Sequence, residues 1–244
     1  MGSQYDTLAA ITNLTAEMPL RKYYEEYTFF QVLGNITGRS VLDVACGTGL
    51  YSRRFKQRGA ARVVGIDNSE GMIGYARHLE ASQPLGIAYH VLDAAGARNL
   101  GTFDVVAATY LLHYAPTREV LRDMCTSLFA SLAPGGRLVS ICMNPDIELA
   151  DTSYYQKYGF EAASHGEEDG NVITIKSLVP ELPFTISAHH WRRSTYEDTL
   201  RGAGFHDVVW HPPQIAPEGL TALGADHWAE YLRRPHAEVF SCVK

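Results

Sequence analysis

Several kinds of residue are scarce in this chain, and each scarcity narrows its function. There are only four cysteines, Cys46, Cys125, Cys142 and Cys242, and their spacing matches no metal-binding pattern. Three of them sit in or beside apolar runs, so they read as buried, reduced thiols of a cytoplasmic protein, and no metal is expected. No apolar stretch approaches the roughly 20 residues that span a bilayer. A signal peptide is not expected either, because the first helical segment carries Glu17, Arg21, Lys22, Glu25 and Glu26. Asp6 stands where a myristoylation signal needs Ser or Thr. Positive charge is in deficit, with 21 Lys and Arg against 27 Asp and Glu, a net charge of −6. That argues against a surface built to track nucleic-acid phosphates. Internal repeats, low-complexity tracts, a Ser-His-acid triad and paired catalytic carboxylates are also missing.

What is present is enough for one large domain. The 244 residues are 46% apolar and 20% charged, which suits a single α/β core with a cap. The most informative stretch is Val41-Leu42-Asp43-Val44-Ala45-Cys46-Gly47-Thr48-Gly49, a short apolar run ending in a glycine turn. A second apolar run, Val63 to Ile66, ends in Asp67, 20 residues after Gly47. Strand, glycine turn, helix, strand and terminal acid compose the nucleoside-binding half of a doubly wound sheet. Gly47 and Gly49 let backbone approach a ligand, the following helix points its N-terminal amides at it, and Asp67 accepts from a ribose diol. The dinucleotide fingerprint asks for a third glycine where this chain has Ser52, which disfavours an NAD-dependent oxidoreductase.

Periodicity divides the rest. Residues 5–37 read as helical, with Pro19 breaking or restarting the pattern. Strands are expected near 41–45, 62–66, 88–92, 103–109 and 136–142, with helices near 50–58, 69–81 and 117–132. Gly59 and Gly135-Gly136 are read as helix terminators. Beyond residue 142 the rhythm changes. Tyr154, Tyr155, Tyr158 and Phe160 crowd together, an acidic turn follows over 164–170, and residues 171–175 and 184–188 read as an antiparallel pair. A helix then opens near Ser194, with Thr195 as its N-cap, and ends at Gly204. Val208–Trp210 and Val239–Cys242 read as the last two strands. The expected division is a helical cap over 1–38, a core over 39–142, a substrate-side insert over 143–193, and a terminal helix and strands over 194–244.

The glycine-turn run resembles the first motif of the class I S-adenosylmethionine (SAM)-dependent methyltransferases, acid-x-(Gly/Ala)-x-Gly-x-Gly, filled by Asp43, Ala45, Gly47 and Gly49. Four further stretches resemble later family motifs in order: Asp67-Asn68-Ser69 with Met72; His90 to Ala94, ending in the acid Asp93; Phe103 to Tyr114; and Leu132 to Leu138. The resemblance implies a Rossmann-like, mostly parallel seven-stranded sheet holding SAM. It places Asp43, Ala45, Gly47, Gly49, Asp67, Asn68, Met72, Asp93, Ala94 and Thr109 around the cofactor, with Tyr24 from the N-terminal segment. A sulfonium methyl is already activated, so positioning and exclusion of water carry most of the catalysis. That agrees with the missing catalytic arrays.

A general base helps where the acceptor is a phenol, hydroxyl or protonated amine. His113 follows the fourth strand and is the first candidate; His189 and His190, on opposite faces of a strand, are the second. Aromatic density in the N-terminal segment, the strand-four loop and the insert suits a flat acceptor, with Tyr5, Tyr27, Tyr110, Tyr114, Tyr158 and Trp191 as its expected lining and Asn144 orienting a polar group. Arg21 is expected on a solvated helix face, with pairing to the cofactor carboxylate as the alternative. The Asn/Asp-Pro-Pro-aromatic signature of nucleic-acid amine methylation is missing from Thr109-Tyr110-Leu111-Leu112-His113. Short stretches, among them Gln4-Tyr5-Asp6, Thr28-Phe29-Phe30, Pro145-Asp146, Leu149-Ala150, Tyr158-Gly159 and Trp191 with Tyr196-Glu197, resemble small bacterial N-methyltransferases of the toxoflavin synthase type. That narrower resemblance implies a small natural-product acceptor, methylated on nitrogen in preference to oxygen, with S-adenosylhomocysteine (SAH) as product. A SAM-binding cyclase or scaffold that transfers no methyl is the alternative, since methyl transfer has no obligatory catalytic residue.

Overall fold

The continuous aliphatic runs form central strands because both of their faces are covered. The structure, a computed structural model, describes residues 14–149 and 151–244. Strands β1 (Ser40–Val44), β2 (Arg62–Asp67), β3 (Ile87–Val91), β4 (Phe103–Thr109) and β5 (Leu132–Met143) pair in parallel. Two more, β9 (His206–His211) and β10 (Ala237–Val243), complete a seven-stranded sheet of order β3-β2-β1-β4-β5-β10-β9, with β10 antiparallel to both neighbours. From β1 the chain winds outward through β2 and β3, then returns to lay β4 on the other side of β1. A ligand crevice belongs at that reversal, outside the carboxyl ends of β1 and β4.

Helices cover both faces. Helices α1 (Glu26–Leu33), α2 (Leu50–Gln57) and α3 (Glu70–Ser82) bury Phe29, Leu33, Phe55, Ile73 and Ala76 against one face. Helices α4 (Arg118–Ala130) and α5 (Arg193–Ala203) bury Leu121, Cys125, Leu128, Tyr196 and Leu200 against the other. All four cysteines are buried and free. Among the described residues, no helix is long and apolar enough to cross a membrane.

The N-terminal segment restarts at Pro19, as its position predicts. A π-helical turn over Leu20–Glu25 runs directly into α1, with the Glu26 amide bonded to the Arg21 carbonyl. Such turns cluster at functional sites, and here Arg21 and Glu25 both face the central cavity. Leu20 and Tyr24 join Tyr155, Tyr158, Phe160, Trp228 and Tyr231 in an apolar cluster of their own. Trp228 and Tyr231 come from α7 (Ala225–Arg233), which follows α6 (Pro217–Leu223). The pattern over 212–236 indicated neither helix, because Pro213, Pro217 and Gly224 interrupt any helical period.

The insert holds three strands, not two. β6 (Phe160–Ser164), β7 (Asn171–Ser177) and β8 (Thr185–His190) form an antiparallel meander. β6 was hidden by its Ala162-Ala163 pair, which has little strand preference. Two other expectations need correction. Gly135-Gly136 does not end a helix: α4 stops at Ala130, and the glycines lie inside β5, where the pairing with β4 shifts register. Thr195 is not an N-cap, because α5 begins at Arg193 and its flanking residue is Arg192. Instead Asp169, from the acidic turn of the insert, takes the Arg192 amide at 2.7 Å and the Thr195 hydroxyl at 2.5 Å, beside the Arg118 guanidinium.

Asp169 therefore ties the insert to α4 and α5 through one carboxylate. Asp169→Ala should lower the unfolding free energy by about 1–2 kcal/mol, the range of a lost helix-terminal acceptor. Chemical denaturation measures this; an unchanged midpoint would remove Asp169 from that role.

Candidate active site

The turn after β1 alternates into the left-handed region, with φ of 62° at Ala45, 53° at Gly47 and 83° at Gly49. Ala45 is one of three non-glycine residues with positive φ in the described chain, a conformation that costs free energy and favours functional turns. At Gly49 an added Cβ would lie 2.4 Å from the Tyr89 hydroxyl, so only glycine fits over that ring. Gly49 also flanks the first residue of α2, which turns that helix's N-terminal end toward the turn. The Gly47 amide donates to Asp67 Oδ2 at 2.9 Å, and the Ser69 amide to Oδ1 at 2.9 Å. Ser69 in turn N-caps α3 through the Met72 amide at 3.2 Å. A carboxylate so placed at a strand end is the group type that accepts from ligand hydroxyls. One strand further out, Asp93 caps the turn Ala94–Leu100 by accepting from the Gly96 amide at 2.8 Å.

Asp43 lies beneath this turn, fully buried, with the Ser52 hydroxyl donating to Oδ2 at 2.6 Å and no partner on Oδ1. Burial pushes its carboxyl up to about 7; the Ser52 hydroxyl pulls the other way and the Asp67 charge adds to the rise. Cys46 is also buried, and burial beside Asp43 and Asp67 pushes its thiol well above the usual range. It is therefore a turn residue and not a nucleophile.

A cavity of about 700 Å³ opens at this edge, a size typical of small-molecule sites. Ala45, Gly47, Thr48, Asp67, Asn68, Met72, Leu92, Asp93, Ala94 and Thr109 line one end. The donor and acceptor set fits an adenosyl group. Gly47 leaves open space where a Cβ would stand, two carboxylates end adjacent strands, and Met72 and Leu92 supply apolar flanks. Leu20, Arg21, Glu25, Tyr110, His113, Tyr114, Tyr158, Phe160, Ile186, Ser187, His189 and His236 line the other end.

Three histidines face this second end in different states. His113 is 3% exposed, and its Nδ1 has no hydrogen-bond partner. Burial, reinforced by His236 and His189, pushes it down to about 3. His189 Nδ1 lies 2.9 Å from the Gly170 carbonyl, which can only accept; Nδ1 therefore carries the proton and Nε2 is left as an acceptor. His236 Nδ1 is 2.7 Å from the Tyr231 hydroxyl, and its Nε2 is 3.3 Å from the Tyr110 hydroxyl and 3.7 Å from Glu25 Oε1. Arg21 Nε lies 3.5 Å from Glu25 Oε2.

The cavity gathers many of the sequence candidates and leaves others out. Tyr24 is buried against Tyr231, its hydroxyl donating to the Ala237 carbonyl, outside the lining. Tyr27 does not reach the cavity either. Asn144 is a loop brace, donating to the Pro235 carbonyl at 2.8 Å and accepting from the Asp146 amide at 2.9 Å. Trp191 is core, its indole donating to the Ala115 carbonyl at 3.1 Å. His190 points away from the cavity to the Pro145 carbonyl at 3.0 Å, as the opposite faces of β8 require. Asp43 and Gly49 shape the turn from behind. Tyr5 lies outside the described residues, as do Gln4, Asp6 and Ala150. Arg21 reaches the cavity and not a solvated face. Glu25 and His236 escaped the sequence reading: Glu25 sits in a charged run typical of solvated helices, and His236 follows Pro235 in a stretch without a period.

Residues 41–136 match the family described as a methyltransferase domain. The chain is 28% identical over 191 residues to N-demethylindolmycin N-methyltransferase of Streptomyces griseus, covering 72% of this chain and 75% of that one. It is 35% identical over 123 residues to a ubiquinone biosynthesis O-methyltransferase of Psychrobacter cryohalolentis, where the match covers 49% of this chain and only 45% of the relative. The structure of a SAM-dependent methyltransferase from Mesorhizobium loti shares the fold, with a TM-score of 0.62 at 24% identity, over 90% of this chain and 97% of that one.

Asp43 generates a prediction of its own. Its carboxyl rises from 3.8 to about 7 on folding, so the folded state favours the protonated form. The resulting stability is fully present below about 4 and is lost as pH rises through about 7. Over that window the wild type should lose up to about 1.4 kcal/mol per pH unit relative to Asp43→Asn. Denaturation curves at several pH values measure the difference; a constant gap would refute the raised titration.

Proposed function

The chain is a class I SAM-dependent methyltransferase, and on that premise we propose that it methylates a small, flat heteroaromatic or phenolic metabolite, on nitrogen in preference to oxygen. The observation that carries the reading is the shared cavity. The glycine turn and the acids at the ends of β2 and β3 line the same cavity as Tyr110, Tyr114, Tyr158, Phe160 and three histidines. When bound, SAM supplies a methyl on a sulfonium whose leaving group is a neutral thioether.

The chain's own residues then hold and orient. Asp67 would hold the ribose hydroxyls, Asp93 and Asn68 would read the adenine edge, and the amides of the 45–49 turn would hold the amino-acid tail. Arg21, which lines the cavity, is the cation for the carboxylate of that tail. Tyr110, Tyr114 and Tyr158 sandwich the acceptor, and the insert over 143–193 roofs it against water. His113 stays neutral and offers the acceptor a hydrogen bond. Nitrogen is favoured because the N-methyltransferase relative matches over three quarters of its length, against under half for the O-methyltransferase. A metabolite of secondary metabolism fits the same comparison, and a net charge of −6 opposes a nucleic-acid acceptor.

Calorimetric titration with SAM and with SAH should show both binding, and Asp67→Ala should weaken each by about 1.5–3 kcal/mol, the worth of hydrogen bonds to a charged acceptor. Unchanged affinity in the variant would take Asp67 out of the site. Label from methyl-labelled SAM should then appear in N–H heteroaromatics, N-demethylindolmycin among them, ahead of phenols. Tight cofactor binding with no labelled product across such a panel would favour the non-methylating alternative.

A further inference from the structure

Among the three cavity histidines, one has a carboxylate within ion-pair distance. Glu25 is 6% exposed, its Oε1 lies 3.7 Å from His236 Nε2, and its Oε2 lies 3.5 Å from Arg21 Nε. His113 has no carboxylate beside it, and His189 leans on a backbone carbonyl. Only at position 236 does a charged imidazole gain a counter-charge.

The two ring nitrogens of His236 differ in their contacts. The short contact is on Nδ1, 2.7 Å from the Tyr231 hydroxyl, whereas the contacts on Nε2 are long, 3.3 Å to Tyr110 and 3.7 Å to Glu25. In the tautomer whose Nδ1–H donates to Tyr231, the Nε2 lone pair lies beside the Tyr110 hydroxyl. Tyr110 itself is held at φ 57°, a left-handed conformation that a tyrosine adopts only under constraint. That backbone turn at the end of β4 brings its hydroxyl to His236. Burial pushes His236 down, Glu25 opposes that and Arg21 adds to it, so the resting imidazole is neutral and able to accept.

We propose that His236 is the general base for the acceptor, with Glu25 as its positioning residue, and that the acceptor is an uncharged aromatic with an acidic N–H or O–H. This rests on the methyltransferase reading of the same cavity. The proton of that N–H or O–H passes to His236 Nε2. The electron pair left on the acceptor forms its bond to the methyl carbon as the carbon–sulfur bond breaks, its pair staying on sulfur. The imidazolium is then paired with Glu25, and its proton leaves to solvent with product release. Around it stand Arg21, Tyr110, Tyr231 and His113, and among the described residues Glu25 is the acid within ion-pair distance of Nε2.

The test needs no knowledge of the natural acceptor. Para-nitrophenol, whose ionised form is yellow, is added to the full chain with saturating SAH at a pH below the probe's own pKa. The wild type should bind it as phenolate, its apparent ionisation shifted down by about one unit, a tenfold change in the ionised ratio. His236→Gln should lose that shift while keeping wild-type SAH affinity by calorimetry, and Glu25→Gln should lose the shift as well. His190→Gln, a histidine outside the cavity, should retain it. Failure of the wild type to bind the probe, binding of the neutral phenol alone, or an undiminished shift in His236→Gln overturns the proposal. A shift lost in His113→Gln but kept in His236→Gln overturns it too. Ionisation of the probe without any binding of SAH would instead sink the cofactor reading and leave the base assigned.

Discussion

The hydrogen bond from the Gly47 amide to Asp67 Oδ2 at 2.9 Å holds the rest of the site in place. It ties the turn that follows β1 to the acid that ends β2. Because Ser69 bonds the other oxygen of Asp67 and caps α3, the same carboxylate also fixes where that helix begins. The turn needs left-handed backbone at three alternating positions, and Gly49 must be glycine to pass over Tyr89. Those requirements leave little freedom in the crevice outside β1 and β4, and the crevice is where the sheet's winding reverses.

Against that rigid half stands a cap assembled from three distant parts of the chain. The π-helical turn Leu20–Glu25, the aromatic turn at Tyr154–Tyr158 and helix α7 bury their rings on one another. None of the three has a stable apolar face alone; each is completed by the others. The cap is therefore a packing solution separate from the sheet core, and it carries the groups that differ in chemistry from the cofactor end: Arg21, Glu25, Tyr158 and His236. On the proposed reading, the sheet would hold the cofactor while the cap selects the acceptor.

The sequence showed the two halves unequally. The sheet was legible because its signals are local. Apolar runs mark β1, β2 and β4, Gly47 and Gly49 need a special φ, and Asp67 ends a strand. The last two strands were legible as well, though not that β10 lies between β5 and β9. The cap was harder because its signals are tertiary. Tyr154, Tyr155 and Tyr158 stood out by density, yet nothing in 212–236 announced that Trp228 and Tyr231 would pack on them. Asn144 and Trp191 looked functional by type and position, but a buried amide and a buried indole bond backbone first, and here they do. Glu25 and His236 are 211 residues apart, so no spacing connects them; their pairing exists only in the fold.

The central claim is that one crevice at the carboxyl edge of the sheet holds the cofactor and opens directly onto the capped acceptor space. A crystal structure with SAH tests it most directly. The account predicts ribose density against Asp67, the adenine between Met72 and Leu92, and the sulfur pointing toward Tyr110. Density for SAH elsewhere, or side chains filling the crevice between Gly47 and Asp93 with the ligand excluded, would contradict it.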